Sequence, residues 1–370
     1  MSESVELRAG PIVWTVTIPA DKRVAVERSD STAPAAGPRE LLKAALAGPI
    51  GLNAPLARAV TPDDHAVVVV DESLPHVGEL VSELLAHLAA GEVQPSAVTL
   101  LVAPPSGQQP WVDDLPDEFG DVHVEVHDPT DVKKLAYLNT TQAGRRIYLN
   151  RTLVEAEFVV VLSGRRFDPY SGYAGAESAL FPVLSNAETR KEFADKAPDP
   201  DATRQEATTV AWHLGAPVFV QVIEGPGDTI AEVVAGLPES AKMGIQRQDA
   251  RWRGVADSTA DLVIVTTNSG ERSSGATPRQ AIGTGLNCLA ADGRLVLLTD
   301  APTATATELE STWAESDLAP HIYIAGWDEE TVENVSATPL TSAAELQRLI
   351  GAAHRVVVIP DADKSRVEVS

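Results

Sequence analysis

Runs of β-branched and aliphatic residues recur along the chain and each closes in turn formers: HAVVVVDES at 65–73, AVTLLVAPPSG at 97–107, VHVEVHD at 122–128 and AEFVVVLSG at 156–164. Short continuous apolar runs of this kind predict strands buried on both faces. Between the first two, VGELVSELLAHLAAG carries its apolar residues at helical spacing. The three segments make a βαβ unit, whose right-handed crossover sets two strands parallel in an open sheet. Ligands are then expected beyond the carboxyl ends of the strands.

A second series follows MGIQRQDARWRGVADS: ADLVIVTTNSG at 260–270, a small-residue helix in PRQAIGTGLNCLAADG, then RLVLLTD at 294–300, HIYIAG at 321–326 and RVVVIPDAD at 355–363. APVFVQVIEGPGDTIAEVVAG predicts two strands joined by a Gly-Pro-Gly turn, and KAPDPDATRQE a polar loop leading into a helix. A chain of 370 residues exceeds the usual size of a single core. The pattern predicts an α/β protein with two α/β domains, mostly parallel sheets and a ligand cleft between them. The larger N-terminal domain is expected at 1–253 and the smaller at 254–370, with the last strand as a candidate to pack back on the first domain.

Charge removes some partners. With 53 acidic against 29 basic residues the formal charge is −24, which repels nucleic acid and anionic membrane alike. No apolar run approaches the roughly 20 residues that span a bilayer, and the N-terminus lacks a basic segment followed by an apolar core. The single cysteine, Cys288, excludes an internal disulfide or a thiolate cage and suits a reducing cytoplasm. The expected partner is therefore a small molecule. The sequence does not set the oligomeric state.

Candidate chemistry gathers after the strands. Asp71 and Glu72 close the first strand, with His76 shortly after; they suit acid/base or metal work, or Asp71 or Ser73 simply caps the next helix. Ser106 lies in the loop after the second strand. The richest stretch is SGRRFDPYSGYAGAES, where Arg165, Arg166, Asp168, Tyr170, Tyr173 and Glu177 supply polar groups while Gly172 and Gly175 permit close backbone approach. Asn268, Glu271 and Arg272 follow a strand of the second series. His123 and His127 share a strand face that reads as an exposed edge rather than a metal site, and His213, His321 and His354 read as packing or surface residues. No P-loop, G-x-S-x-G elbow, H-E-x-x-H or CxxC pair occurs.

The order of LNTTQAGRRIYLNRTLVEAEFVVVLSG, YSGYAGAESALFPVLSNAETRKEF, NAPLARAV, DES, DPTDVKKLAYL, AADGRLVLL and RVVVIPDAD resembles the lactate racemase superfamily, which uses a nickel-pincer nucleotide. The resemblance implies a two-domain fold with the nucleotide in the cleft. It also implies hydride transfer from the α-carbon of a 2-hydroxy acid, with two histidines exchanging the hydroxyl proton.

The chain departs from that family's pattern where the chemistry would sit. Aligned on SGYAG, the lysine that tethers the nucleotide becomes Ser178 and the arginine before it becomes Glu177. A loop histidine becomes Asp168, and DESLPH keeps Asp71 but has Leu74 and Pro75 where the family has a threonine–arginine pair. Ser106 stands near a catalytic histidine position, a later histidine falls around Phe193 or Ala194, and a lysine falls near Glu271. Replacing an imidazole by a carboxyl lowers the pKa of the base from about 6.5 to about 4.

Covalent attachment of the nucleotide is thus not expected, and if it binds it is held non-covalently. The expected function is an isomerase or racemase-type activity on a polar hydroxylated small molecule other than lactate. The alternatives are a non-catalytic small-molecule-binding pseudoenzyme and a divalent-metal-binding protein with an acidic cleft. The catalytic candidates are Asp71, Glu72, Asp168, Glu177 and Ser106. The binding candidates are His76, Arg165, Arg166, Tyr170, Gly172, Tyr173, Gly175, Ser178, Glu271 and Arg272.

Overall fold

The computed structural model describes residues 2–28, 36–104, 109–141, 144–168, 172–195, 199–268, 276–303, 306, 309, 311–314, 316, 318 and 320–370. The chain divides into two compact units, one of Ala33–Gly225 with Thr229–Arg247, the other of Met1–Thr32, Pro226–Asp228 and Gln248–Ser370.

The first unit is built on a six-stranded sheet in the order Ile230–Gly236, Val218–Glu224, Phe158–Gly164, Ala66–Val70, Val98–Val102, His123–Val126. Only the Val218–Glu224 and Ile230–Gly236 pair is antiparallel, because a short turn joins those two strands. The four apolar runs read from the sequence are four of these strands.

Period-two alternation sends Val68, Val70, Val160 and Leu162 into one core with the Val77–Ala90 helix residues Leu80, Leu84 and Leu88. Val67, Val69, Val159 and Val161 face the opposite core, with Leu180 and Phe181 after the next turn and Ala207 and Val210 from the Pro200–His213 helix. Chain order runs outward from Ala66–Val70 to the His123 edge, then returns to Phe158–Gly164 on the other side and continues the opposite way. Right-handed crossovers in opposite directions put helices on opposite faces. The reversal therefore falls between Ala66–Val70 and Phe158–Gly164, the position where open α/β sheets leave a crevice at their carboxyl edge.

The second unit holds a parallel five-stranded sheet in the order Thr338–Pro339, His321–Ala325, Leu289–Leu298, Ala260–Thr266, Val356–Ile359. Val263 and Val265 face a core shared with Ala281, Ile282 and the buried Cys288. Leu262 and Ile264 face Leu346 and Ile350 of the Ala343–Ala352 helix, together with Leu7, Ala9, Val16 and Ile18 of an N-terminal hairpin.

That hairpin, Ser2–Ala9 with Ile12–Pro19, differs from the division at 253 and 254 expected from sequence. Its one apolar face covers the sheet of the second unit, so sequence position and unit do not coincide. The last strand, Arg366–Val369, lies beside Arg253–Ala256 in that same unit, which in turn pairs with Val26–Arg28. Among the described residues no helix is long and apolar enough to cross a membrane.

Leu162 is fully buried at the centre of the six-stranded sheet. Leu162→Ala should cost about 2–5 kcal/mol in urea unfolding, with an unchanged denaturant slope.

Candidate functional site

The Phe158–Gly164 strand ends at Gly164, and the next two residues are both arginines. The alternation of the strand continues through them and sends them to opposite faces. Arg165 turns to the face of the short Ala176–Leu180 helix and is fully buried. Its Nη1 and Nη2 donate to Oε1 and Oε2 of Glu177, each at 2.7 Å, a two-toothed pair with no exposure on either partner beyond 1%. The remaining edge is satisfied by Oε1 of Gln221, which accepts from Nε at 3.1 Å, while Gln221 Nε2 donates to Ser240 Oγ at 3.1 Å.

Two glycines make room for this side chain. A Cβ on Gly175 would overlap the guanidinium of Arg165, and one on Gly244 would overlap the amide of Gln221. The close approach that the sequence suggested for a ligand at Gly175 is an approach by the chain's own arginine.

Arg166 stays at the sheet edge. Its Nε donates to Glu224 Oε1 at 2.7 Å and its Nη1 to Asp71 Oδ2 at 2.9 Å. Asp71 Oδ2 also accepts from the Gly164 N–H at 3.1 Å, and Asp71 Oδ1 accepts from the Ser73 N–H at 3.1 Å and from the Ser73 hydroxyl. Asp71 follows one of the two strands that flank the chain reversal and Arg166 follows the other, so their ion pair spans the reversal. Both side chains keep 18% exposure.

Electrostatics fixes the protonation of these carboxyls. Burial pushes Asp71 up, but the charge of Arg166 and the hydrogen bonds from Ser73 and Gly164 outweigh it and hold the carboxyl below its ordinary value. Burial likewise raises Glu177 and the Arg165 pair overrides it, so Glu177 is also lowered. Burial lowers Arg166, and Asp71 with Glu224 raise it further than burial depresses it. All three are charged at neutral pH. A carboxylate held this firmly ionised is a weak proton acceptor.

The Ser178 hydroxyl accepts from the Gly175 N–H and donates to the Gly175 carbonyl, each at 2.9 Å, closing the first turn of its helix. Glu72 accepts from Trp111 Nε1 at 2.9 Å. The Tyr173 ring meets Phe167 edge-on at 5.7 Å and lies 6.0 Å from the Arg204 guanidinium carbon. Gly172 opens the short Gly172–Ala174 strand with φ +82, a backbone conformation that favours glycine.

His76, not Asp71 or Ser73, precedes the Val77–Ala90 helix, in left-handed conformation and without a side-chain cap. Leu74 is buried in the core, and Phe193 packs edge-on against Phe181 at 5.2 Å. His123 is exposed on the sheet's edge strand as expected, whereas His127 lies past the strand end, buried, with Nε2 at 2.9 Å from the Ser185 carbonyl. Ser106, Tyr170, Glu271, Arg272 and the Asp168 side chain lie outside the described residues. Among the described residues no group of three or more His, Cys, Asp or Glu is placed to hold a metal ion.

Gln221, Glu224 and Ser240 were absent from the sequence candidates. One signal pointed to the first two: in VFVQVIE every position is buried, and a glutamine and a glutamate inside such a strand need partners.

Two outcomes follow from the buried pair. Glu177→Gln should lower stability by about 3–5 kcal/mol in denaturant titration, because it strands a guanidinium away from water. The depressed carboxyls also fix an acid limb. Their stabilisation is complete above the unfolded pKa values near 4.5 for Glu177 and 3.8 for Asp71, and is lost as pH falls through the lower folded values. Unfolding free energy measured from pH 6 to pH 2 should therefore fall progressively below about pH 4.5, and Glu177→Gln should flatten that fall.

Residues 10–193 match the family model described as the lactate racemase N-terminal domain. No curated protein sequence is matched by the chain. Among solved structures, the lactate racemase apoprotein from Thermoanaerobacterium thermosaccharolyticum superposes with a TM-score of 0.75 at 16% identity, covering 99% of this chain and 100% of that one. A structural-genomics protein from Thermotoga maritima superposes with a TM-score of 0.64 at 10% identity, covering 93% and 100%. At such identities the superpositions speak for the fold, while the family model speaks for descent. Residues 10–193 of the chain thus carry a domain of the lactate racemase N-terminal family.

Proposed function

We propose that the chain binds a polar, hydroxylated small molecule at the carboxyl edge of the six-stranded sheet, between Asp71, Ser73 and Arg166, without racemising 2-hydroxy acids. One observation carries this reading. The charged groups that family resemblance would assign to chemistry are consumed by one another, Glu177 by Arg165 and Asp71 by Arg166. What remains on offer at the edge is a set of polarised but neutralised donors and acceptors, suited to hydroxyl groups.

The nickel nucleotide implied by the family resemblance does not fit as a covalent adduct. At the position expected for its tether stands Ser178, whose hydroxyl closes a helix turn on Gly175. A hydroxyl cannot form the amide that a lysine forms. The residue before it, Glu177, points into a buried ion pair. No step is therefore assigned to that group.

A catalytic version of this reading is favoured by the 18% exposure of Asp71 and Arg166 at the chain reversal, where a reacting centre could reach them. The two versions separate in one set of measurements on protein purified from a host that makes the nickel nucleotide. The binding reading expects thermal stabilisation by members of a panel of polyols and sugars, an intact mass equal to that of the chain alone, and no loss of α-deuterium from labelled lactate. Exchange of α-deuterium on any panel member would establish the catalytic version. Interconversion of D- and L-lactate, or a nucleotide adduct on the intact chain, would overturn both.

A further inference from the structure

We infer that Glu224, a buried residue at the end of a central strand, sets the charge preference of the crevice by neutralising Arg166 in advance, so that the site takes neutral or cationic hydroxylated ligands in preference to carboxylates. The inference rests on the binding site proposed above and adds the class of ligand it accepts.

An arginine at the carboxyl edge of a parallel sheet is ordinarily a receptor for anions, through its planar fork of donors. Here the fork is shared. Glu224 accepts from Nε at 2.7 Å and its Oε1 also lies 2.7 Å from Nη2, while Asp71 accepts from Nη1 at 2.9 Å. Two carboxyl groups, Glu224 and Asp71, thus share the one guanidinium.

Glu224 is much less exposed than Arg166 or Asp71, at 4% against 18% for each of them. It therefore acts on a ligand through Arg166 rather than by touching it. The neighbouring Arg165 offers no substitute, since Glu177 and Gln221 occupy its donors in the core. Both arginines that the loop could present to a ligand carboxylate are thus compensated, in a chain whose formal charge is −24.

Three probes with one skeleton test this: lactate as anion, propane-1,2-diol as neutral analogue and 1-amino-2-propanol as cation. Their affinities are measured at pH 7 and low salt by chemical-shift titration, on the wild type and on Glu224→Gln, Glu224→Asp and Asp71→Asn. The wild type should bind the diol and the amine more tightly than lactate, with shifts at Ser73 and Arg166. Glu224→Gln should move the lactate-to-diol affinity ratio about tenfold towards lactate, the scale of one partly buried unit charge.

Asp71→Asn should move the ratio the same way and serves should Glu224→Gln not fold, while Glu224→Asp should keep the wild-type ranking. A merely structural role for Glu224 would weaken all three ligands equally and leave the ratio fixed. Lactate binding more tightly than the diol in the wild type, or a ratio unchanged in every neutralised variant that folds, would overturn the inference and leave the binding reading intact. Absence of binding by all three probes, joined to absence of stabilisation by the polyol and sugar panel, would overturn both.

Discussion

A guanidinium withdrawn from water at the end of a central strand constrains everything around it. Arg165 has no exposure, so each of its donors must find an acceptor inside the protein or leave a polar group unsatisfied. Glu177 supplies two oxygens and Gln221 a third contact, and Ser240 then anchors Gln221. Such a pair does not of itself make the protein more stable than an apolar filling would. Its effect is geometric: the five-residue helix carrying Glu177 and Ser178 has one docking position against the strand. The absent side chains of Gly175 and Gly244 are part of the same arrangement, because a methyl group at either would occupy space the polar network needs.

The adjacent arginine shows how one residue of offset changes an ion pair's role. Arg166 meets two carboxyl groups at the sheet edge while keeping 18% exposure, so water competes for the same donors. The cluster draws on three neighbouring strands: Asp71 follows one, the arginine follows the next and Glu224 ends the third. The cluster therefore ties together the strands on either side of the chain reversal. A buried pair positions a helix, and a partly exposed one beside it joins neighbouring strands at the sheet edge.

Much of the architecture was legible in the chain because β-branched runs and helical spacing are local signals. HAVVVVDES and AEFVVVLSG announce their strands, and the four alternating valines at 67–70 already contain the two-faced packing later seen. The hairpin at residues 2–19 was harder to place, since nothing local says which sheet its apolar face will cover. Candidate site residues were legible as a list and illegible as partners. Arg165 and Arg166 look alike in sequence, and only strand alternation, carried past Gly164, separates the buried one from the edge one. Glu224 was missed because it reads as the last residue of a strand before a Gly-Pro-Gly turn. Its significance depends on a strand pairing, Val218–Glu224 beside Phe158–Gly164, that is nonlocal.

The likeness to the lactate racemase apoprotein, at 16% identity and a TM-score of 0.75, is a likeness of fold. Apolar alternation tolerates exchange of one aliphatic residue for another, so the sheet and its crevice persist through extensive substitution. Chemistry at the crevice depends on individual atoms. A hydroxyl at Ser178 closes a helix turn but offers no amine, and a carboxylate at Glu177 requires a buried cation that it finds in Arg165. Because the pair is buried, replacing either residue alone leaves a charge stranded in the core. The buried pair is therefore held by mutual dependence of its charges, whereas the Arg166 cluster, with Arg166 and Asp71 each 18% exposed, keeps some contact with water that can screen a change of charge.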